Sequence, residues 1–224
     1  MLDLTYRATR DRVCGLAAAL SDDQLQSHVP ATPRWTVREL LAHLVGCSRD
    51  AISGRLDGVT TDQWTARHVR ERRATPIAEL LDEWQRIGPA AEAVLTDDQL
   101  YGPNLAIDAI CHEADLHEAL GLPRVDREHW QPFLDVTMLH LRRQLRHTTS
   151  LLITDEHGGQ WTCGSGQPVT LLRADGYELL RANLSRRSLR QIAGWDWSPA
   201  PTEEMLHGFG VFGTRVDDQP VPAR

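Results

Sequence analysis

The sequence predicts an α+β protein: an N-terminal up-down four-helix bundle followed by a small C-terminal α/β domain. Three observations carry that reading. Apolar residues recur at helical spacing from the start to about residue 147, helix-start signals sit ahead of those stripes, and β-rich residues first cluster near residue 150. The expected boundary divides the 224 residues into 1–148 and 149–224.

Residues 3–20 place Val13, Leu16, Ala17 and Leu20 on one helical face. Ser21-Asp22-Asp23-Gln24 has capping-box form and predicts a short helical turn, after which Pro30 and Pro33 interrupt the chain. Thr36-Val37-Arg38-Glu39 is a second capping box, and Val37, Leu40, Leu41, Leu44, Val45 and Ser48 form one stripe, so 36–55 is predicted helical. The polar stretch Asp57 to Arg73 reads as loop. Thr75-Pro76 supplies an N-cap and first-turn proline for a helix to about Leu95. Two further helices are expected, from Asn104 to Leu120, closed by Gly121 and Pro123, and from Arg127 to His147. Long helices with modest connections pack as a bundle. Beyond them, Ser150–Thr154 and Trp161–Cys163 flank a His157-Gly158-Gly159 turn as a strand pair. Residues 173–184 are predicted helical, and Phe209–Phe212 a final strand.

Composition narrows the chemistry. All 24 basic side chains are arginine, so Schiff-base, P-loop and general-base lysines are excluded. Lysine codons are A-rich, and the skew points to a GC-rich coding sequence. With 41% hydrophobic and 25% charged residues the chain can bury a core. A net charge of −7 argues against nucleic-acid binding, which leans on phosphate neutralisation. The opening MLDLTYRATRDR is charged and has no apolar segment, and no stretch reaches the ~20 residues of a membrane span. A cytoplasmic protein without a membrane partner is therefore expected. Cys14, Cys47, Cys111 and Cys163 are scattered without a CxxC pair, as expected for reduced thiols.

The segment Ile110-Cys111-His112-Glu113-Ala114-Asp115-Leu116-His117 carries the chemistry. His112 and His117 are five residues apart, about 140° around a helix, and cannot share one metal. Glu113 and His117, four apart, project from one face among Ala106, Ala109, Ile110, Leu116 and Leu120. A carboxylate in an apolar stripe demands a metal or a buried arginine. His43 flanks the stripe of the 36–55 helix, with Cys47 one turn and Asp50 two turns on. Two histidines and a carboxylate from facing helices suit zinc with an open position, or non-haem iron. A hydrogen-bonded structural Glu–His pair and a buried, satisfied His43 are the alternative readings of the pattern.

At these residues the chain resembles a known family. Arg34-Trp35-Thr36-Val37-Arg38-Glu39-Leu40-Leu41-Ala42-His43-Leu44-Val45-Gly46 is similar to the "gWtvrdlvaHlvg" signature of the mycothiol-dependent maleylpyruvate isomerases, which have DinB-like metal-binding bundles. Glu113-x3-His117 resembles their second signature, an E-x3-H on a later helix. Glu178–Arg186 resembles the helix ending in "GR" in their small second domain, with Ser185 in place of the glycine. The resemblance implies His43, Glu113 and His117 as ligands of a divalent metal, Zn2+ or another such as Ni2+ or Fe2+. It also implies mycothiol as thiol cosubstrate, a small electrophilic substrate, cis-trans isomerisation or S-transfer, and an actinobacterial setting. Arg186, with Arg187 beside it, is the implied catalytic anion-binder for a substrate carboxylate. A thiol-independent metal hydrolase and a non-catalytic metal- or small-ligand-binding protein are the alternatives. Neither the oligomeric state nor the physiological substrate is legible.

Overall fold

In the computed structural model, which describes residues 1–96 and 104–223, the chain divides into two compact units, Met1–Val125 with Val221–Arg224, and Asp126–Pro220. The first unit is built on four helices, α1 (Leu2–Ala18), α3 (Val37–Ser53), α5 (Ile77–Ala93) and α6 (Leu105–Ala119). Helices α1 and α3 each pack against both α5 and α6, which closes a four-helix bundle. Its core contains Val13, Leu40, Leu41, Leu44, Leu80, Trp84, Ala109 and Leu116, all buried. One polar cluster is also satisfied inside. The Trp84 indole N–H donates to Tyr6 Oη at 2.8 Å and Ser48 Oγ at 3.0 Å, and those two oxygens lie 2.6 Å apart.

Helix α3 begins as its sequence demands: Thr36 Oγ1 accepts from the Glu39 amide and Glu39 Oε2 accepts from the Thr36 amide, closing the capping box. It ends at Gly54, whose φ of 69° is left-handed and open to glycine at little cost. A short helix α2 (Asp22–Gln26) follows α1, again with a capping box, and a two-stranded pair, β1 (His28–Val29) and β2 (Thr32–Thr36), leads into α3.

The polar stretch expected to be loop contains helix α4 (Asp62–Glu71). Thr61 caps it by accepting from the Trp64 amide at 3.3 Å. Only Trp64 and His68 on this helix are buried, four residues apart. A stripe of two residues is too narrow to register as periodicity, and packing on α3 is what selects the helix.

The second unit begins with α7 (Arg127–Gln144), which packs on α8 (Gly176–Asn183) and on strand β4 (Gln160–Cys163). The last predicted bundle helix therefore belongs to this unit, and the contact boundary falls after Val125, not at 148. Four strands form its sheet in the order β4, β3 (Thr149–Thr154), β5 (Ser165–Arg173), β6 (Asp196–Ser198). Strands β3 and β5 run parallel, and the other two pairings are antiparallel. Strand β5 carries no readable signal in the sequence, because Gly166 and Pro168 interrupt its start and its parallel partner β3 lies beyond β4. Residues 209–212 are not a strand; β6 takes the sheet edge, and α9 (Leu189–Ala193) and α10 (Glu203–His207) fill the remainder. Among the described residues no helix is long and apolar enough to cross a membrane.

Candidate metal centre

His43 sits in the middle of α3, only 3% exposed, where side chains of α3, α4 and α6 converge. Trp35 and Trp64 lie against it, with ring centroids at 4.8 and 6.1 Å. The rings of His68 and His112 lie at 5.3 and 5.1 Å. These neighbours shield the imidazole from water on several sides.

Two three-residue groups of ligand-type atoms meet at this ring among the described residues: His43 with Asp108 and His112, and His43 with Cys47 and His68. In the first, Asp108 Oδ2 is 3.7 Å from His43 Nε2, and Asp108 Oδ1 is 3.6 Å from His112 Nε2. The side chain of Asp108 keeps a third of its surface, yet its Oδ2 is sealed from solvent without a hydrogen-bond partner. Burial pushes the Asp108 carboxyl upward, but His112 and His43 more than offset it and hold the group well below the usual range. The carboxylate lies between the two imidazoles, Oδ2 toward His43 and Oδ1 toward His112. His112 Nδ1 is 2.9 Å from Asp115 Oδ2, and Asp115 is fully buried. That bond places the Nδ1 proton on the Asp115 side and leaves the His112 Nε2 lone pair facing Asp108.

The second group meets the same ring from α3 and α4, with Cys47 Sγ 3.4 Å from His43 Nε2. His43 Nδ1 is 3.3 Å from His68 Nδ1, and Cys47 Sγ is 3.7 and 3.9 Å from those same two atoms. His68 Nε2 is 2.8 Å from Asp50 Oδ2, and Arg67 donates to the same carboxylate from both terminal nitrogens. Burial lowers the His68 pKa to about 4, against the opposing pull of Asp50. Burial, then the charge of Asp108, raises the Cys47 thiol well above its ordinary value.

The expected partners of His43 on α6 lie elsewhere. Glu113 accepts from Arg12 Nε and Nη2 at 2.7 Å each, a bidentate pair to α1 with the Glu113 side chain 3% exposed. Of the two ways to satisfy a buried carboxylate, this one uses the arginine. His117 is half-buried, and its Nδ1 donates to the Pro123 carbonyl at 2.7 Å. Among the described residues neither joins a three-residue ligand group. Helix α6 carries the acid-x3-His pattern twice, at Asp108/His112 and Glu113/His117, and a shift of five residues turns the pair by about 140°. All residues from Ala109 to Leu116 are buried, so the apolar stripe could not tell which repeat faces α3. The spacing rule itself would have found Asp108 and His112. His68 lay in the stretch read as loop and had no signal at all.

In the second unit, Arg186 is buried and its Nη1 donates to the Leu184 carbonyl at 2.8 Å. Arg187 is fully buried against Glu178 in a bidentate ion pair, which is a packing role. Ser185, where the resemblance has glycine, holds φ at 62°. The Ser185 and Arg186 amides donate back to the Ala182 and Arg181 carbonyls at 2.9 and 2.8 Å, a Schellman ending of α8. A left-handed position of this kind is one that glycine adopts without strain.

A family model described as "Mycothiol maleylpyruvate isomerase N-terminal domain" matches residues 6–117. Among solved structures, the chain is similar to the crystal structure of the mycothiol-dependent maleylpyruvate isomerase, at 10% identity and a TM-score of 0.56, over 91% of this chain and 94% of that one. A histidine-to-alanine mutant of that isomerase matches with the same values. No curated protein matches the sequence.

Proposed function

Because the chain belongs to the mycothiol-dependent maleylpyruvate isomerase family, we propose that it is a metal-dependent, mycothiol-using isomerase or S-transferase whose metal is held by His43, Asp108 and His112. The observation that carries this reading is the Asp108 carboxylate, set with Oδ2 toward His43 and Oδ1 toward His112 and with Oδ2 sealed from solvent and unsatisfied by geometry. An anionic atom in that position needs a cation. Two neutral imidazoles and a carboxylate suit zinc or a similar divalent ion. When bound, such an ion supplies a means of holding a coordinated thiol as thiolate at neutral pH.

The protein's own contribution is orientation and exclusion of water. Asp115 fixes the His112 tautomer, so that Nε2 and not Nδ1 is offered to the centre. Trp35 and Trp64 wall His43 and lower the local polarity, which strengthens charge interactions there. Glu113 and His117, the first choice on resemblance alone, give way to Asp108 and His112 in this reading. Arg186 is kept as the candidate for binding a substrate carboxylate on the resemblance of Glu178–Arg186 to the family's second-domain helix alone. A small electrophilic substrate, a low-molecular-weight thiol and a cytoplasmic setting follow from the same reading.

Metal analysis of purified protein and of three variants tests it. In a Cys47→Ser background, where no thiolate beside His43 can hold an ion, Asp108→Asn and His112→Gln should lose the tightly bound divalent ion, and Glu113→Gln should keep it. Mycothiol should raise the melting temperature of the metal-loaded wild type through binding to the folded state alone. Retention of metal by Asp108→Asn together with its loss from Glu113→Gln would overturn the assignment.

A further inference from the structure

A second set of ligand atoms meets at the His43 ring, where Cys47 Sγ lies 3.7 Å from Nδ1 and 3.4 Å from Nε2. His43 Nδ1, His68 Nδ1 and Cys47 Sγ form a triangle with edges of 3.3, 3.7 and 3.9 Å. A tetrahedral ion with metal–nitrogen bonds of about 2.05 Å and a metal–sulfur bond of about 2.3 Å needs a nitrogen–nitrogen edge of ~3.3 Å and nitrogen–sulfur edges of ~3.6 Å. The observed triangle is one face of such a polyhedron within a few tenths of an ångström.

The supporting contacts match what a ligating histidine requires. Asp50, buried within the unit, faces His68 Nε2 at 2.8 Å, which puts the proton on Nε2 and leaves the Nδ1 lone pair toward Cys47 and His43. Arg67 holds Asp50 by two hydrogen bonds, so the acceptor is itself fixed. Gly46 leaves the space His68 occupies: a Cβ there would lie 2.3 Å from His68 Cγ. Each of His43, Cys47 and His68 is nine-tenths or more buried.

We infer that His43 Nδ1, His68 Nδ1 and Cys47 Sγ form a second metal site, suited to a thiophilic ion such as zinc, cadmium or copper(I). Binding breaks the Cys47 S–H bond, forms a sulfur–metal bond and releases one proton to solvent. The site shares His43 with the Asp108–His112 centre, taking Nδ1 where that centre takes Nε2, and Cys47 Sγ lies within 4 Å of both nitrogens. Because a neutral imidazole offers one lone pair to a metal, the two sites compete for the His43 ring and are filled one at a time.

Cobalt(II) titration of the full-length apoprotein, with no free thiol present, separates the two. Asp108→Asn and, as a second isolating variant, His112→Gln remove the first centre. Both should bind cobalt with a sulfur-to-cobalt charge-transfer band in the near ultraviolet. Adding Cys47→Ser should abolish the band although Cys14, Cys111 and Cys163 remain. Asp50→Asn, which loosens the tautomer lock, should weaken cobalt binding on the order of 10–100-fold in the same background. Cobalt bound without a sulfur band in both isolating variants, no binding in either, or a band that survives Cys47→Ser would overturn the inference. The first centre is judged separately: Cys47→Ser with intact Asp108 should still bind cobalt, without the band, and failure there overturns the earlier reading and not this one.

Discussion

Removing the positive partner of Glu113 separates a structural carboxylate from a metal-binding one. In Arg12→Met the Glu113 carboxylate, 3% exposed, loses both of its 2.7 Å charge-assisted donors. Leaving such a charge uncompensated costs about 3–5 kcal/mol, and the lower end is expected because Arg12, at 29% exposure, opens the pair to water on one side. Glu113→Gln leaves only a part-solvated guanidinium short of a partner and should cost about 1–2 kcal/mol. The double variant should be destabilised by about 2 kcal/mol less than the sum of the singles, since each single strands the other's partner. Urea unfolding of metal-free protein, followed by tryptophan fluorescence, gives the three values, and zinc content is measured in parallel. The reasoning requires unchanged zinc in all three variants. Additive costs, or zinc lost with Glu113→Gln, would refute it.

Other outcomes follow from the same contacts. The His68 pKa is depressed in the folded protein to about 4 from an ordinary 6.5, so the unfolded chain binds more protons between those values. Stability of the apoprotein is therefore complete above pH 6.5 and falls as pH drops toward 4, by at most about 3 kcal/mol; His68→Gln should flatten that slope in pH-dependent denaturation. Gly46→Ala forces a methyl against the His68 ring and should cost about 1–3 kcal/mol by thermal melting, with metal binding at the His68 edge lost first. At Ser185, glycine relieves left-handed strain of about 1–2 kcal/mol but removes the acceptor for the Phe212 amide at 3.0 Å, worth about 1 kcal/mol. Ser185→Gly should thus be near neutral. Ser185→Ala keeps the strain and loses the bond, and should be the less stable of the two in denaturant melts.

Local signals located the elements that close locally. Both capping boxes, at Ser21 and Thr36, form as written because donor and acceptor lie three residues apart. His43 was found for the same reason, since its place on α3 follows from a long apolar stripe and a matched motif. What the sequence by itself determined is therefore an α+β chain, a helical bundle with His43 inside it, and a family.

Tertiary structure decided which carboxylate His43 meets. Helix α6 offers two acid-x3-His pairs of equal spacing, and only packing against α1 and α3 gives Glu113 to Arg12 and Asp108 to His43. It also made a helix of 62–71 from two buried residues, and so brought His68 to a ring 25 positions earlier in the chain. Periodicity reports that a face is buried but not which neighbour covers it. The choice of partner belongs to contacts between distant segments, and at this centre nearly every decisive contact is of that kind.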